Sequence, residues 1–138
     1  MRKIAIVGSK SLDGYDSVYE TIQEVAEDEI SSRGPFILIN GGEEGVDTMA
    51  GEVALSLGLD YDIVPLQECS NGCVPGKEYC FEHSYRPRSK EIAMQAEKIY
   101  RIYDEGCGTS TCEVTARFGE ELGKQVRRIS IDLLTIAR

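Results

Sequence analysis

The stretch Phe36-Ile-Leu-Ile-Asn-Gly-Gly-Glu-Glu-Gly-Val-Asp-Thr-Met-Ala50 constrains the fold more than any other part of the chain. Apolar residues run unbroken from Phe36 to Ile39, the pattern of a strand buried on both faces. Gly41, Gly42 and Gly45 then make a turn. From Asp47 to Leu57 the spacing is helical, with Asp47 or Thr48 as candidate N-cap and Gly58 as the stop. Strand, glycine turn and helix in that order build an anion seat. A helix N-terminus carries free N–H groups and about half a positive charge. Glycine lets the backbone close in on a phosphate because no Cβ intervenes. Read more plainly, the same turn is only a tight connection. A second glycine turn of this kind, Asp104-Glu-Gly-Cys-Gly-Thr-Ser-Thr111, gives weight to the ligand reading.

The rest of the chain alternates in the same way. Lys3–Val7 reads as a first strand, closed by Gly8-Ser9-Lys10. Tyr15–Ile30 places Val18, Ile22, Val25, Ala26 and Ile30 on one helical stripe. Arg33-Gly34-Pro35 breaks that helix. Tyr61–Val64 is a third strand, ended by Pro65. Leu66–Pro87 shows no period and reads as a long loop, which is usually functional or held by something other than a core. Arg88–Glu97 is a helix, Ile99–Tyr103 a fourth strand, Thr109–Leu122 a helix stopped by Gly123, and Val126–Leu133 a fifth strand. The expected fold class is α/β: a single Rossmann-like domain over 1–138, with about five mostly parallel strands and helices on both faces. Ligands of such sheets sit beyond the C-terminal strand ends. The loops Gly8–Gly14, Gly41–Asp47 and Asp104–Ser110 are therefore expected to meet in one site.

Composition narrows the function classes. The chain has 138 residues, 41% apolar and 28% charged, which suits one ordinary core and argues against disorder. No apolar run approaches the ~20 residues of a membrane span, and the basic N-terminal start is too short for a secretion signal. A cytoplasmic protein is expected. The net charge of −9 gives no general pull on DNA or RNA, although a small anion can still be held by local groups. Arg127 and Arg128, in the basic end of the chain, read as a solvated face.

Three motifs carry a family resemblance. Gly41-Gly-Glu-Glu-Gly-Val-Asp47 resembles the Gly-Gly-x-x-Gly-Ala-Asp turn of the SLOG superfamily, the Rossmann-like group that includes the Smf/DprA proteins and the lonely-guy phosphoribohydrolases. Arg88-Ser-Lys-Glu-Ile92 resembles the Arg-Asn-Arg-Glu-Met segment of its small YspA-like members. Asp104-Glu-Gly-Cys-Gly-Thr109 resembles their last glycine turn. The match runs in order over roughly Lys3 to Ile131. It implies a pocket for a nucleotide or nucleotide-derived ligand, with Gly8, Ser9, Lys10, Gly41, Gly42, Gly45, Asp47, Arg88, Gly106, Gly108, Thr109 and Ser110 around it. Arg88 is the expected cation, able to grip a phosphate in bidentate fashion; a surface arginine at a helix start is the alternative. Asp47 either caps a helix or takes a ribose hydroxyl.

The departures bear on activity. Glu43-Glu44 stand where relatives often have a basic residue, and Ser89 replaces an Asn. In the phosphoribohydrolases the last turn is Pro-Gly-Gly-x-Gly-Thr-x-x-Glu, with the Glu helping to cleave a glycosidic bond. Here Asp104-Glu105 replace Pro-Gly and Glu113 falls one residue late, about 100° around a helix. The expected function is binding or sensing, not catalysis. The first alternative is hydrolysis of the N-glycosidic bond of a nucleoside phosphate, with Arg88, Glu113 and Glu44 as candidate catalytic residues, since an oxocarbenium-like transition state needs a carboxylate. The second is a metal-stabilised interaction protein. Pairing is common in the superfamily, which leaves a homodimer open.

The long loop carries its own signal. Cys69-x3-Cys73-x6-Cys80-x2-His83 holds four soft-metal ligands within fifteen residues. Tetrahedral zinc takes such a set, so Cys69, Cys73, Cys80 and His83 are the candidate metal ligands. Loosely buried cysteines, a disulfide between two of them and iron–sulfur ligation are the alternatives. No organic cofactor is expected. Cys107 lies near a helix N-terminus, where a thiolate is favoured, or simply fills a tight turn.

Overall fold

A computed structural model describes residues 1–69, 73, 77–107 and 110–136, with the side chains of 107 and 136 excepted. Among these residues the chain forms β1 (Lys3–Gly8), α1 (Asp16–Arg33), β2 (Ile37–Asn40), α2 (Val46–Ser56), β3 (Asp60–Ile63), α3 (Arg86–Gln95), β4 (Lys98–Asp104), α4 (Thr111–Glu121), β5 (Gln125–Ile131) and a last turn, α5 (Leu133–Ile136). The five strands make one sheet in the order β3-β2-β1-β4-β5, and every neighbouring pair is parallel. The α/β class with a Rossmann-like sheet is therefore the fold.

Both faces of the sheet are covered, as the unbroken apolar strands require. Ile4, Ile6, Leu38 and Ile102 turn to one face and pack with Val18, Ile22 and Val25 of α1 and Met49, Ala50 and Val53 of α2. Ala5, Val7, Ile39 and Ile99 turn to the other and pack with Ile92 and Ala93 of α3 and Cys112 of α4. The alternation within β1 (Ile4 and Ile6 against Ala5 and Val7) assigns one helix pair to each side. The edge strand β3 is short and carries Asp60 and Asp62, both exposed, which discourages pairing with another chain.

At the lower end of the sheet, α1 buries a charge. Glu29 lies on the apolar stripe of α1 and receives Arg2 Nη1 at 2.9 Å, Lys98 Nζ at 2.8 Å and Tyr100 Oη at 2.5 Å. Burial alone would raise its pKa, but the hydrogen bonds from Lys98, Tyr100 and Arg2 prevail and hold the carboxyl down at about 2. This cluster ties α1 to the N-terminus and to β4.

Most element ends shift by one to three residues from the sequence expectation, and two of these shifts have a clear cause. The irregular segment ends before Pro87: a five-residue π turn, Phe81–Tyr85, leads directly into α3, whose first turn contains Pro87. The last strand stops at Ile131, because Asp132 accepts the Leu134 amide at 3.0 Å and starts a helical turn.

Candidate ligand cleft and cysteine cluster

The sheet order sends the chain from β1 outward through β2 and β3, then back across to β4 beside β1. The crevice between β1 and β4 is thus the topological switch point, where ligands of such sheets bind. The loops there are stitched together by backbone. Ser9 N donates to Ile102 O at 3.2 Å, Val46 N donates to Ser9 O at 3.4 Å, and Asp104 N donates to Ser9 Oγ at 3.2 Å. Gly45 makes this possible: its φ is +98°, and a Cβ there would lie 2.5 Å from the Ser9 carbonyl oxygen.

The β2 glycine loop closes on itself. Asp47 Oδ2 accepts the Gly41 amide at 3.1 Å and the Glu43 amide at 3.3 Å, while the Gly42 amide donates to Asn40 Oδ1 at 2.9 Å. Asn40 is itself fixed, donating to Ile6 O and Asp47 O and accepting Tyr61 Oη. The N-cap of α2 is Gly45, neither Asp47 nor Thr48 as the sequence suggested. Asp47 instead reaches back from the first turn of α2 and accepts the two loop amides. Burial, with Glu43 beside it, pushes the Asp47 carboxyl up to about 7. The amides of Gly41 and Gly42 are thus spent inside the protein.

Arg88 is a buried residue in the first turns of α3, not a surface arginine. Its Nη1 donates to Gly41 O at 3.1 Å, its Nη2 pairs with the Glu43 carboxylate, and its guanidinium lies over the Tyr85 ring, 5.3 Å from the centroid. Its Nε is buried without a partner. Gly41 leaves room for it: a Cβ would lie 2.7 Å from the guanidinium carbon, so the Arg88 head would have to shift. The void between Arg88, Asp47 and the loop measures about 10 Å³, room for one water at most. Glu43 occupies the anion's place on Arg88, so a phosphate reaches that cation only if Glu43 withdraws. Ser89, on the same turn, donates to Thr111 O at 3.3 Å and docks α3 against α4.

The other candidate carboxylates lie apart from this cavity. Glu44 is exposed. Glu113 points to β4 and β5, where it pairs with Arg101 at 3.4 Å and Arg128 at 2.9 Å, and Arg117, one turn on in α4, lies at 3.6 Å. Its one-residue offset has this consequence: the helix turns it onto an arginine cluster and away from the switch point.

Above Arg88 opens a cleft of about 320 Å³, lined by Gly8, Ser9, Lys10, Ser11, Glu43, Tyr85, Ser110 and Thr111. Four expected residues line it: Gly8, Ser9, Lys10 and Ser110. Gly41, Asp47 and Arg88 lie together around the small void that also borders Gly8 and Glu43. Gly42 and Gly45 shape the loop. Gly106 is exposed, with its amide on Asp104 Oδ1 at 3.1 Å. Gly108 and Thr109 lie outside the described residues. The sequence reading missed Ser11, Tyr85 and Thr111. Tyr85 had a signal, since it sits three residues before Arg88, one helical turn away. Three serine hydroxyls, Lys10 and the Glu43 carboxylate make this cleft polar; the Ser11 hydroxyl donates to Asp104 Oδ2 at 3.4 Å and Ser110 Oγ lies 2.9 Å from Cys112 Sγ.

Beside the cleft, the cysteine segment draws together. The Sγ atoms of Cys69, Cys73 and Cys80 lie within 4.8 Å of one another. His83 Nδ1 is 3.1 Å from Cys73 Sγ and 3.3 Å from Cys80 Sγ. Cys69, Cys73 and Cys80 are free thiols. A hydrogen bond from Ser84 lowers the Cys69 thiol below its ordinary pKa, while the bond to Cys69 pushes Cys73 up to about 12. The cluster can hold a metal ion.

No protein-family model matches the chain, and no curated protein matches it by sequence. Solved structures match it in shape. DNA processing protein A (DprA) from Streptococcus pneumoniae superposes with a TM-score of 0.72 at 19% identity, over 97% of this chain and 52% of that one. The chain thus spans about half the length of that protein. The structural-genomics target TM1055 superposes with a TM-score of 0.64 at 15% identity, over 91% of this chain and 72% of that one. The molybdenum cofactor binding protein from Rippkaea orientalis gives 0.63 at 13% identity, over 97% and 79%. These likenesses establish the Rossmann-like fold. Among the described residues no helix is long and apolar enough to cross a membrane.

Proposed function

We propose that this chain binds a nucleotide or nucleotide-derived ligand in the switch-point cleft and acts as a binding or sensing module. The observation that carries the reading is the convergence of the loop after β1, Glu43 from the loop after β2, and the start of α4 on one cleft of about 320 Å³. The ligand's phosphate lies against Ser9, Lys10, Ser11 and Ser110. The cofactor-binding name of the Rippkaea orientalis neighbour supports a small-molecule ligand over a purely structural role. N-glycosidic hydrolysis is served less well, because Glu113 is held by three arginines and Glu44 stands in solvent.

The test is thermal unfolding with a panel of nucleoside mono-, di- and triphosphates. A ligand at 100 times its dissociation constant adds ~2.7 kcal/mol, a shift of several degrees. A panel that leaves the midpoint unmoved overturns the reading. Free base released during incubation, and lost on Glu113→Gln, would establish the hydrolase instead.

Zinc is the proposed metal of the cysteine cluster, since three thiolates and one imidazole make a closed tetrahedral set. Protein purified without metal-affinity resin is expected to carry about one zinc per chain by elemental analysis. A metal-free protein that is fully folded overturns this.

A further inference from the structure

Tyr79 and Phe81 are large aromatic residues on the cysteine segment, 39% and 45% exposed. They line a hollow of about 590 Å³ together with Lys77, Glu78, Cys80, Tyr85 and Thr111. Tyr85 and Thr111 also line the polar cleft, so the two spaces adjoin. One end offers hydroxyls and a lysine; the other offers rings.

The aromatic end has little apolar support. Among the described residues, neither apolar cluster of the domain includes a member between Val64 and Ile92. The segment is held by polar links instead. Cys69 N donates to Glu78 O at 2.7 Å, and the buried Ser84 hydroxyl accepts Cys80 N at 3.2 Å and meets Cys69 Sγ at 3.5 Å. The sulfurs of Cys69, Cys73 and Cys80 sit among these links, with His83 against the last two. Cys69 comes from the incoming strand of the loop, and Cys80 and His83 come from the outgoing one. His83 is two residues before Tyr85, on the turn that leads into α3. An ion on these four side chains would cross-link both arms of the segment and fix the aromatic residues relative to Tyr85.

We infer that the cysteine segment is the ring-recognition wall of the cleft: the planar base of the ligand stacks on Phe81 and Tyr79, and zinc on Cys69, Cys73, Cys80 and His83 holds that wall in place. This rests on the nucleotide-binding reading and assigns its two halves to different parts of the chain. Phosphate and ribose are read by the loops of the sheet, and the base by the metal-clipped segment. Aromatic stacking of a base typically changes affinity about ten- to hundredfold.

The experiment compares a nucleotide with its base-free counterpart. The tightest-binding nucleoside 5′-monophosphate and ribose 5-phosphate are titrated calorimetrically into zinc-loaded protein, chelator-treated protein and zinc-loaded Phe81→Leu. The expected result is a tenfold or greater loss of nucleotide affinity in the last two, with ribose 5-phosphate affinity unchanged throughout. Phe81→Leu keeps apolar bulk and all four metal ligands, so it reads the ring even if zinc removal unfolds the chain. Equal losses for both ligands, or no loss for either, overturn the inference while leaving the nucleotide reading intact. Zinc-loaded protein that binds ribose 5-phosphate and no nucleotide also overturns it. Absence of binding by either ligand refutes the nucleotide reading and the inference with it.

Discussion

Glu43→Ala removes the anion that neutralises Arg88, and its cost follows from the burial of the pair. The Arg88 side chain is 5% exposed and that of Glu43 20%. Breaking a buried ion pair by deleting one partner costs about 3–5 kcal/mol, mostly from the charge left behind. Arg88 keeps the Gly41 carbonyl and the Tyr85 ring, and Glu43 was not wholly dry, so the low end applies, about 3 kcal/mol. For a chain of this length that is a fall of about 10 °C in midpoint. The protein has no tryptophan, so urea unfolding is best followed by circular dichroism. Arg88→Met alone strands Glu43 instead, while the double variant strands neither. The cycle should therefore show a coupling of about 2 kcal/mol or more. Inorganic phosphate should stabilise Glu43→Ala more than the parent, since the vacated place suits an oxyanion. A Glu43→Ala cost below about 0.5 kcal/mol, or a strictly additive cycle, refutes the view of Glu43 as the internal occupant of the Arg88 seat.

Three further outcomes are expected. Glu29→Gln should cost on the order of 3 kcal/mol at pH 7 and little near pH 2, because a carboxyl held at about 2 gives stability above its unfolded pKa of 4.5 that is lost as pH falls through that window; parallel urea series at pH 7, 4 and 2.5 check this, and an unchanged pH slope refutes it. Asp47→Asn works in the opposite sense: the folded carboxyl, raised to about 7, makes the parent lose stability as pH rises from about 4 to 7, whereas Asn keeps an oxygen for both loop amides, so the variant should gain on the parent over that window and hold the gain above it in the same assay. Gly45→Ala should cost more than Gly58→Ala by about 2 kcal/mol or more in urea unfolding, since both have positive φ but only Gly45 has another backbone 2.5 Å from the new methyl group.

The fold was legible because its signals are local. Apolar runs, helical stripes and glycine stops mark all five strands and four main helices, and their alternation leaves little choice but a parallel sheet. The lining of the candidate cleft was legible where a loop presents its own residues, as at Gly8, Ser9, Lys10 and Ser110. It was not legible where two distant segments settle a residue's role. Arg88 reads as a free phosphate-binding cation until the loop 45 residues earlier supplies Glu43. Asp47 reads as a helix cap until the strand-end turn supplies the Gly41 and Glu43 amides. Glu29 had a readable signal that was passed over: it follows Ile22, Val25 and Ala26 on one helical stripe, so its burial, and hence its need for partners, could be inferred from spacing alone. The cysteine cluster shows the reverse case, since the irregular spacing of Cys69, Cys73 and Cys80 still brings their sulfurs together.

The approach of Gly45 to Ser9 and Lys10 has a consequence for how such a cleft can change over evolutionary time. Where two loops touch through main chain, the contour of that wall is set by peptide groups and survives exchange of the side chains it displays. Lys10 and Ser11 are exposed and can be replaced without moving the wall. The mould is fixed and its lining exchangeable, so a new ligand charge or size can be accommodated by single substitutions while the frame beneath stays as it is.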